Sequence, residues 1–160
     1  MKKHNRGYTL IEVIIVMSIF ILLTGLTTIS LLNAKHKSSL SASVDTFIAD
    51  LKQQQLKAML GDTEGRISSG NYGIFFAGGT YTLFHDDYSS TDSANFDLSL
   101  GDNIEFSNIT FPGSQIIFFQ GSGEIGNYTE GSNTIIIKDI LDNNQKTLTI
   151  NEYGVVEQIN

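Results

Sequence analysis

The sequence predicts an α+β protein, with a long N-terminal helix packed on a C-terminal antiparallel β domain. Three observations carry this. From Val13 to Leu32 there are 20 residues without a charge. Residues 33–60 keep an apolar repeat at helical spacing, with no breaker between them and the first run. After Gly61 the period changes to two, and nearly all of the 15 glycines and the single proline, Pro112, fall in that part.

The first element is the apolar run "VIIVMSIFILLTGLTTISLL". Its length is that of a bilayer-spanning helix. Lys2, Lys3 and Arg6 precede it, so its N-terminus faces the cytoplasm and the rest of the chain lies outside. A cleaved secretory signal has an apolar core of about 7–15 residues and ends at a small-residue site. This run is longer and ends "LLNAKHK", with Leu32 where a small residue is wanted. Glu12, at the start of the run, does not suit a plain anchor. A carboxylate in hydrocarbon costs about 2.5–3.5 kcal/mol on insertion scales.

The second element continues the same helix, predicted to run from Tyr8 to Leu60. Leu40, Val44, Phe47, Ile48, Leu51 and Ala58 fall near one face, with Lys52, Gln53, Gln54 and Lys57 on others. That stripe must pack on the C-terminal domain. "GDTEG" after Leu60 ends the helix with glycine. "TGLTT" (24–28) is its weak place, because glycine and threonine lower helix propensity.

The third part reads as strands. "YGIFF" (72–76) and "TYTLFH" (80–85) form a hairpin across Ala77, Gly78 and Gly79. "NIEFSNITF" (103–111) gives one or two strands ending at Pro112. "SQIIFFQ" (114–120) is a buried strand before a glycine turn. "NTIIIKDI" (133–140) and "QKTLTIN" (145–151) form a second hairpin, and "GVVEQI" (154–159) a last strand. A long polar loop, "HDDYSSTDSANFD" (85–97), interrupts them.

Composition removes several functions. There is no cysteine, hence no disulfide and no thiolate metal site. From Asp62 to Asn160 there are 14 acids against 3 bases, a net of −11, within an overall −7. Such a surface repels phosphate backbones, so no nucleic acid is expected as a partner. Residues 33–60 carry Lys35, Lys37, Lys52 and Lys57 against Asp45 and Asp50, a net of +2. "GSGEIG" (121–126) satisfies G-x-G-x-x-G, but a strand-like segment follows where a dinucleotide site needs a helix, so it reads as a turn. Asp86, Asp87, Asp92 and Asp97 in the long loop offer oxygen ligands of the kind Ca²⁺ takes, without the spacing of a calcium loop. The solvated acidic loop is the favoured reading, and no metal or other cofactor is expected. His4, His36 and His85 are scattered and lack a nucleophile motif, so no catalytic residue and no enzyme activity are expected. "NIT" (108–110) and "NYT" (127–129) fit the glycosylation tripeptide, a pattern short enough to arise by chance.

One stretch carries a resemblance. "RGYTLIEVIIVMSIFILL" resembles the N-terminus of type IV pilins and type II secretion pseudopilins. In that family a basic leader ends in glycine, a prepilin peptidase cuts after it, and the new N-terminus is methylated. The resemblance implies a leader over 1–7, cleavage between Gly7 and Tyr8, and N-methylation of Tyr8. It divides the chain into 8–32, the transmembrane and assembly half of the helix; 33–60, its amphipathic half; and 61–160, a β-rich domain, together pilin-like. It makes Glu12 an assembly residue that pairs with the N-terminal ammonium of a neighbouring subunit, in place of an interfacial side chain that merely snorkels. Tyr8 stands where phenylalanine is commoner.

The later segments resemble H-type minor pseudopilins and FimT-like minor pilins in order and pattern. The implied protein is a minor subunit of a type II secretion or type IV pilus-like machine. Its partners are the prepilin peptidase/N-methyltransferase, other pilins or pseudopilins and the inner-membrane assembly platform. It resides in the inner membrane and then in a filament or at its tip. A competence pseudopilin for DNA uptake and a signal-anchored periplasmic binding module that never polymerises are the alternatives.

Overall fold

A computed structural model describes residues 9–160, less the side chains at 26, 27, 29, 30, 32 and 33. The chain divides into two units, one ending at His36 and one spanning Lys37–Asn160. Helix α1 is Leu10–Leu60. It begins two residues later than the sequence predicts, because Thr9 stands outside it as the cap; Tyr8 lies outside the described residues. Its end has a specific cause. Gly61 sits at φ 61, which a glycine adopts without a Cβ penalty. The Gly61 amide donates to Ala58 O at 3.1 Å and the Asp62 amide to Lys57 O at 3.0 Å. This pair of bonds satisfies the last carbonyls of the helix as a Schellman motif does. The helix is unbroken through 24–28.

The remaining elements are β1 Tyr72–Ala77, β2 Thr80–His85, β3 Phe96–Ser99, β4 Ile104–Ile109, a 3₁₀ turn at Pro112–Ser114, β5 Gln115–Phe118, β6 Thr134–Asp139, β7 Gln145–Ile150 and β8 Val156–Ile159. They make two four-stranded antiparallel sheets, β3-β2-β1-β5 and β4-β6-β7-β8. Both expected hairpins form, with Ala77 opposite Thr80 and Lys138 opposite Gln145. The segment 103–111 gives one strand, bulged between Phe106 and Asn108.

The loop expected over 85–97 is shorter than the sequence suggests. Its last two residues begin β3, where Asp97 pairs with Thr82. Tyr88 fastens the rest by stacking on Phe75 at 4.0 Å between ring centroids. The Phe84 ring lies over Gly73, where an added methyl would meet Phe84 Cζ at 2.2 Å.

Within the unit 37–160 the core lies where α1 meets both sheets. Leu40, Val44, Phe47, Leu51 and Ala58 are buried, and Ile48 is partly so. They meet Tyr72, Ile74, Phe76, Ile116 and Phe118 of the first sheet and Phe106, Ile135, Ile137, Leu148 and Ile150 of the second. Phe47 is the junction: its ring contacts Phe76 and Tyr81 of the first sheet and Phe106 of the second, at 5.8, 5.4 and 5.5 Å. The Phe106 amide of β4 also donates to Gly78 O, so the β1–β2 turn fastens the first sheet to the second.

Candidate functional site

The front of α1 is built from its cap. Thr9 precedes the helix, and its carbonyl accepts from Val13 N at 3.2 Å. Its hydroxyl oxygen accepts from Glu12 N at 3.3 Å. Thr9-Leu10-Ile11-Glu12 therefore has capping-box spacing, with the glutamate three residues inside the cap. An acid in the first turn also suits the positive end of the helix dipole. Glu12 is thus fixed in the first turn, exposed, four residues from Tyr8. The same signal stands in the sequence as "TLIE". Leader residues Lys2, Lys3, His4, Arg6 and Gly7, together with Tyr8, lie outside the described residues.

Behind Glu12, α1 is apolar on every side. Leu10 is 81% exposed and Phe20 67%, and Ile14, Ile15, Val16 and Ile19 are each about half exposed. The hydroxyls of Ser18, Thr24 and Thr28 donate to the carbonyls four residues back, at 2.8, 2.7 and 2.8 Å. Polar side chains satisfied by their own helix are compatible with an apolar surrounding. Among the described residues no helix is long and apolar enough to cross a membrane. The apolar side chains described without interruption run from Leu10 to Gly25, and those at 26, 27, 29 and 30 lie outside the described set.

The other candidates separate. Asp86 Oδ2 lies 3.1 Å from His85 Nδ1. Asp92 accepts from Ala94 N within a turn, and Asp97 accepts from the Thr82 hydroxyl at 2.6 Å. Asp87 is exposed. Among the described residues no three His, Asp or Glu side chains come together as a metal-holding group.

The run at 121–126 is a turn with a packing role. Gly123 has φ 70, and an added methyl would strike Met59 Cγ at 2.4 Å. The Gln55 amide nitrogen donates to Gly123 O at 2.9 Å and Tyr153 O at 2.6 Å, stapling two loops to α1. Asn127, the first residue of "NYT", accepts from Ile117 N and donates to Pro112 O and Gln115 O. It holds the 3₁₀ turn to β5.

Two electrostatic clusters flank α1 in the unit 37–160. Lys57 and Arg66 bond the two Glu64 oxygens at 2.5 and 2.7 Å. Hydrogen bonds from Lys57 and then Arg66 hold the Glu64 carboxyl below its ordinary value. Tyr81 donates to Asp50 Oδ2 at 2.5 Å. Burial, and then that carboxylate, push the Tyr81 hydroxyl up; burial chiefly pushes Tyr72 up to about 12.

Comparison with known families decides the reading of the N-terminus. Residues 2–28 match the prokaryotic N-terminal methylation motif. The chain carries the signature of pilin-type proteins. The motif supports the type IV pilin and pseudopilin family, and with it processing by a prepilin peptidase. It covers the leader and the front of α1, not the sheets. No curated protein and no solved structure matches the chain.

Proposed function

We propose that this chain is a minor pilin or pseudopilin, a non-catalytic subunit made as a membrane precursor and then built into a helical filament or its tip. The observation that carries this is the methylation motif at residues 2–28, with Gly7, Tyr8 and Glu12 in order inside it. Cleavage after Gly7 creates an α-amino group on Tyr8, which N-methylation retains as a cation. In lipid, Glu12 is an unpaired charge that gains by meeting such a cation on a neighbour. The exposed apolar surface behind it can exchange lipid for the same kind of surface on bundled neighbours.

The precursor is a single-pass protein of the inner membrane, with Lys2, Lys3 and Arg6 holding its N-terminus in the cytoplasm. Its partners are the peptidase/N-methyltransferase, sister pilins and the assembly platform. The order of helix end, hairpin, apolar-Phe strand, second hairpin and glycine-led last strand supports the H-type and FimT-like minor subfamilies. In the filament, "TGLTT" is the place where α1 loses helical hydrogen bonds, and a filament map with unbroken helix through Gly25 would refute that detail.

The test is Glu12→Val in cells that assemble the filament. Cleavage should continue, while the processed protein stays in the membrane fraction and disappears from sheared filaments. A variant recovered from filaments at the wild-type level removes the docking role of Glu12.

A further inference from the structure

The proposed function makes no use of an open cleft in the unit 37–160. It holds about 300 Å³ and is lined by Phe119, Glu124, Ile125, Tyr128, Glu152 and Tyr153. Backbone hydrogen bonds bring its two loops together. The Phe119 amide donates to Glu124 O at 2.9 Å, and the Ile125 amide to Glu152 O at 2.8 Å. Gln55 holds both loops to α1 through its bonds to Gly123 O and Tyr153 O. The Phe119 ring lies against Gly126, where an added methyl would meet Cε1 at 2.5 Å.

Three aromatic rings and two carboxylates thus share one cleft, and they are open to solvent. Phe119 is 47% exposed and Tyr153 55%. Glu124 and Glu152 are exposed, and Tyr128 is half-buried. The Tyr153 hydroxyl donates to the Glu152 carboxylate, which pushes the hydroxyl up, and the Glu124 charge adds to that push. Both carboxylates therefore act at the same rim as the Tyr153 hydroxyl. Like charges on one rim repel, and a cation placed between them relieves the repulsion. Among the described residues no lysine or arginine lines the cleft, and none pairs with either glutamate.

We propose that this cleft binds the ammonium group of a lysine presented by a partner protein. The ammonium is a compact charge with three donors and no acceptor, which complements the oxygens of Glu124 and Glu152. Aromatic faces attract a cation set over them. The lysine methylenes suit Phe119, Ile125 and Tyr128, a wall that a bare inorganic cation would leave uncovered. Arginine fits less well. Its planar fork takes both oxygens of one carboxylate, and the Glu152 carboxylate already receives the Tyr153 hydroxyl. The unit 37–160 carries 16 acids against 6 bases, a net of −10, and draws cations to its surface. The cleft lies wholly in that unit, away from the methylation motif, so the site does not rest on the filament reading.

The test is a titration of the isotope-labelled full chain in detergent micelles with N-acetyl-lysine methylamide, followed by NMR. The arginine and norleucine analogues run in parallel. Shifts are expected at the Glu124, Ile125, Glu152 and Tyr153 amides, with half-saturation at roughly 1–10 mM, the range of a weak single-group contact. The lysine ε-methylene protons should move upfield and show contacts to the Phe119 and Tyr153 rings. Arginine should bind more weakly and norleucine not at all. Glu124→Gln with Glu152→Gln should weaken lysine about tenfold, and Phe119→Leu about two- to fivefold. All three positions are exposed, so the melting temperature should barely change. Unchanged affinity in these variants overturns the proposal. So do equal binding of norleucine, tighter binding of arginine, the absence of shifts, or shifts at the glutamates without ring contacts. Shifts at the same amides that grow with protein concentration alone would put a second copy in the cleft and overturn the partner.

Discussion

Phe47→Ala perturbs the point where the helix and both sheets meet. The side chain is 0% exposed, and its ring contacts Phe76, Tyr81 and Phe106. Truncating a buried Phe costs about 3–5 kcal/mol in lost transfer energy and residual cavity. Aromatic pairs add about 0.5–1.5 kcal/mol each beyond area burial. Three such pairs, drawn from two sheets that cannot both close on the gap, place the expected loss near the top of the range, about 4–5 kcal/mol. The chain has no tryptophan and 6 tyrosines, so near-ultraviolet circular dichroism of tyrosine in urea is the assay. At an m-value of roughly 1–3 kcal/mol per molar, the midpoint should fall by about 1.3–5 M. Phe47→Leu, which keeps most of the volume, should lose less than about half of that. Val155→Ala, half exposed at 54%, is the control and should stay within about 0.5 kcal/mol. A loss below about 1.5 kcal/mol for Phe47→Ala would refute the claim that this ring joins the two sheets to the helix.

Other perturbations have equally definite outcomes. Gly154→Ala places a methyl at φ 72, 2.6 Å from Gln55 Nε2 and 2.8 Å from Phe118 Cε1; thermal melting should show a loss of about 2 kcal/mol or more. Glu64→Gln should cost under about 1 kcal/mol at neutral pH, because the pair is partly solvated. The folded Glu64 carboxyl lies below its ordinary 4.5, so that difference is present above pH 4.5 and lost as pH falls through the lowered folded value. Stability curves of the two proteins that stay parallel down to pH 2 would contradict the pairing. In a spectrophotometric alkaline titration, Tyr72 should ionise near pH 12 and Tyr81 no earlier. Thr9→Ala should weaken hydrogen-exchange protection at Glu12 and Val13 by roughly 0.5–2 kcal/mol, leaving residues beyond the first turns unchanged.

The rear half of the helix was legible because one strong period runs through it, and the front half because it is an uninterrupted apolar run. Leu40, Val44, Phe47, Leu51 and Ala58 repeat at three to seven residues and are all buried. Both hairpins were legible from β-branched runs flanking glycine or asparagine. The division into two sheets was not, because strand order is set by long-range pairings such as β1 with β5 and β4 with β6. β3 was hidden because Phe96, Asp97 and Ser99 are exposed and give no apolar alternation. Gln54 reads as a residue off the apolar stripe, and Gln55 carries no signal of its own. Gln54 is buried, and Gln55 bonds loops at Gly123 and Tyr153, which no local pattern reveals. At the N-terminus the reverse held. The N-terminal methylation motif is local and linear, so it was legible within residues 2–28, whereas the capping role of Thr9 needed coordinates.

The central claim is that a mature subunit begins at Tyr8 with Glu12 four residues behind its ammonium. Mass spectrometry of the N-terminal peptide, from protein recovered out of its native cells, tests it most directly. The expected peptide begins with N-methyl-tyrosine at position 8 and reads on through "TLIEV". An intact Met1, or a terminus created after Ala34, would contradict the account.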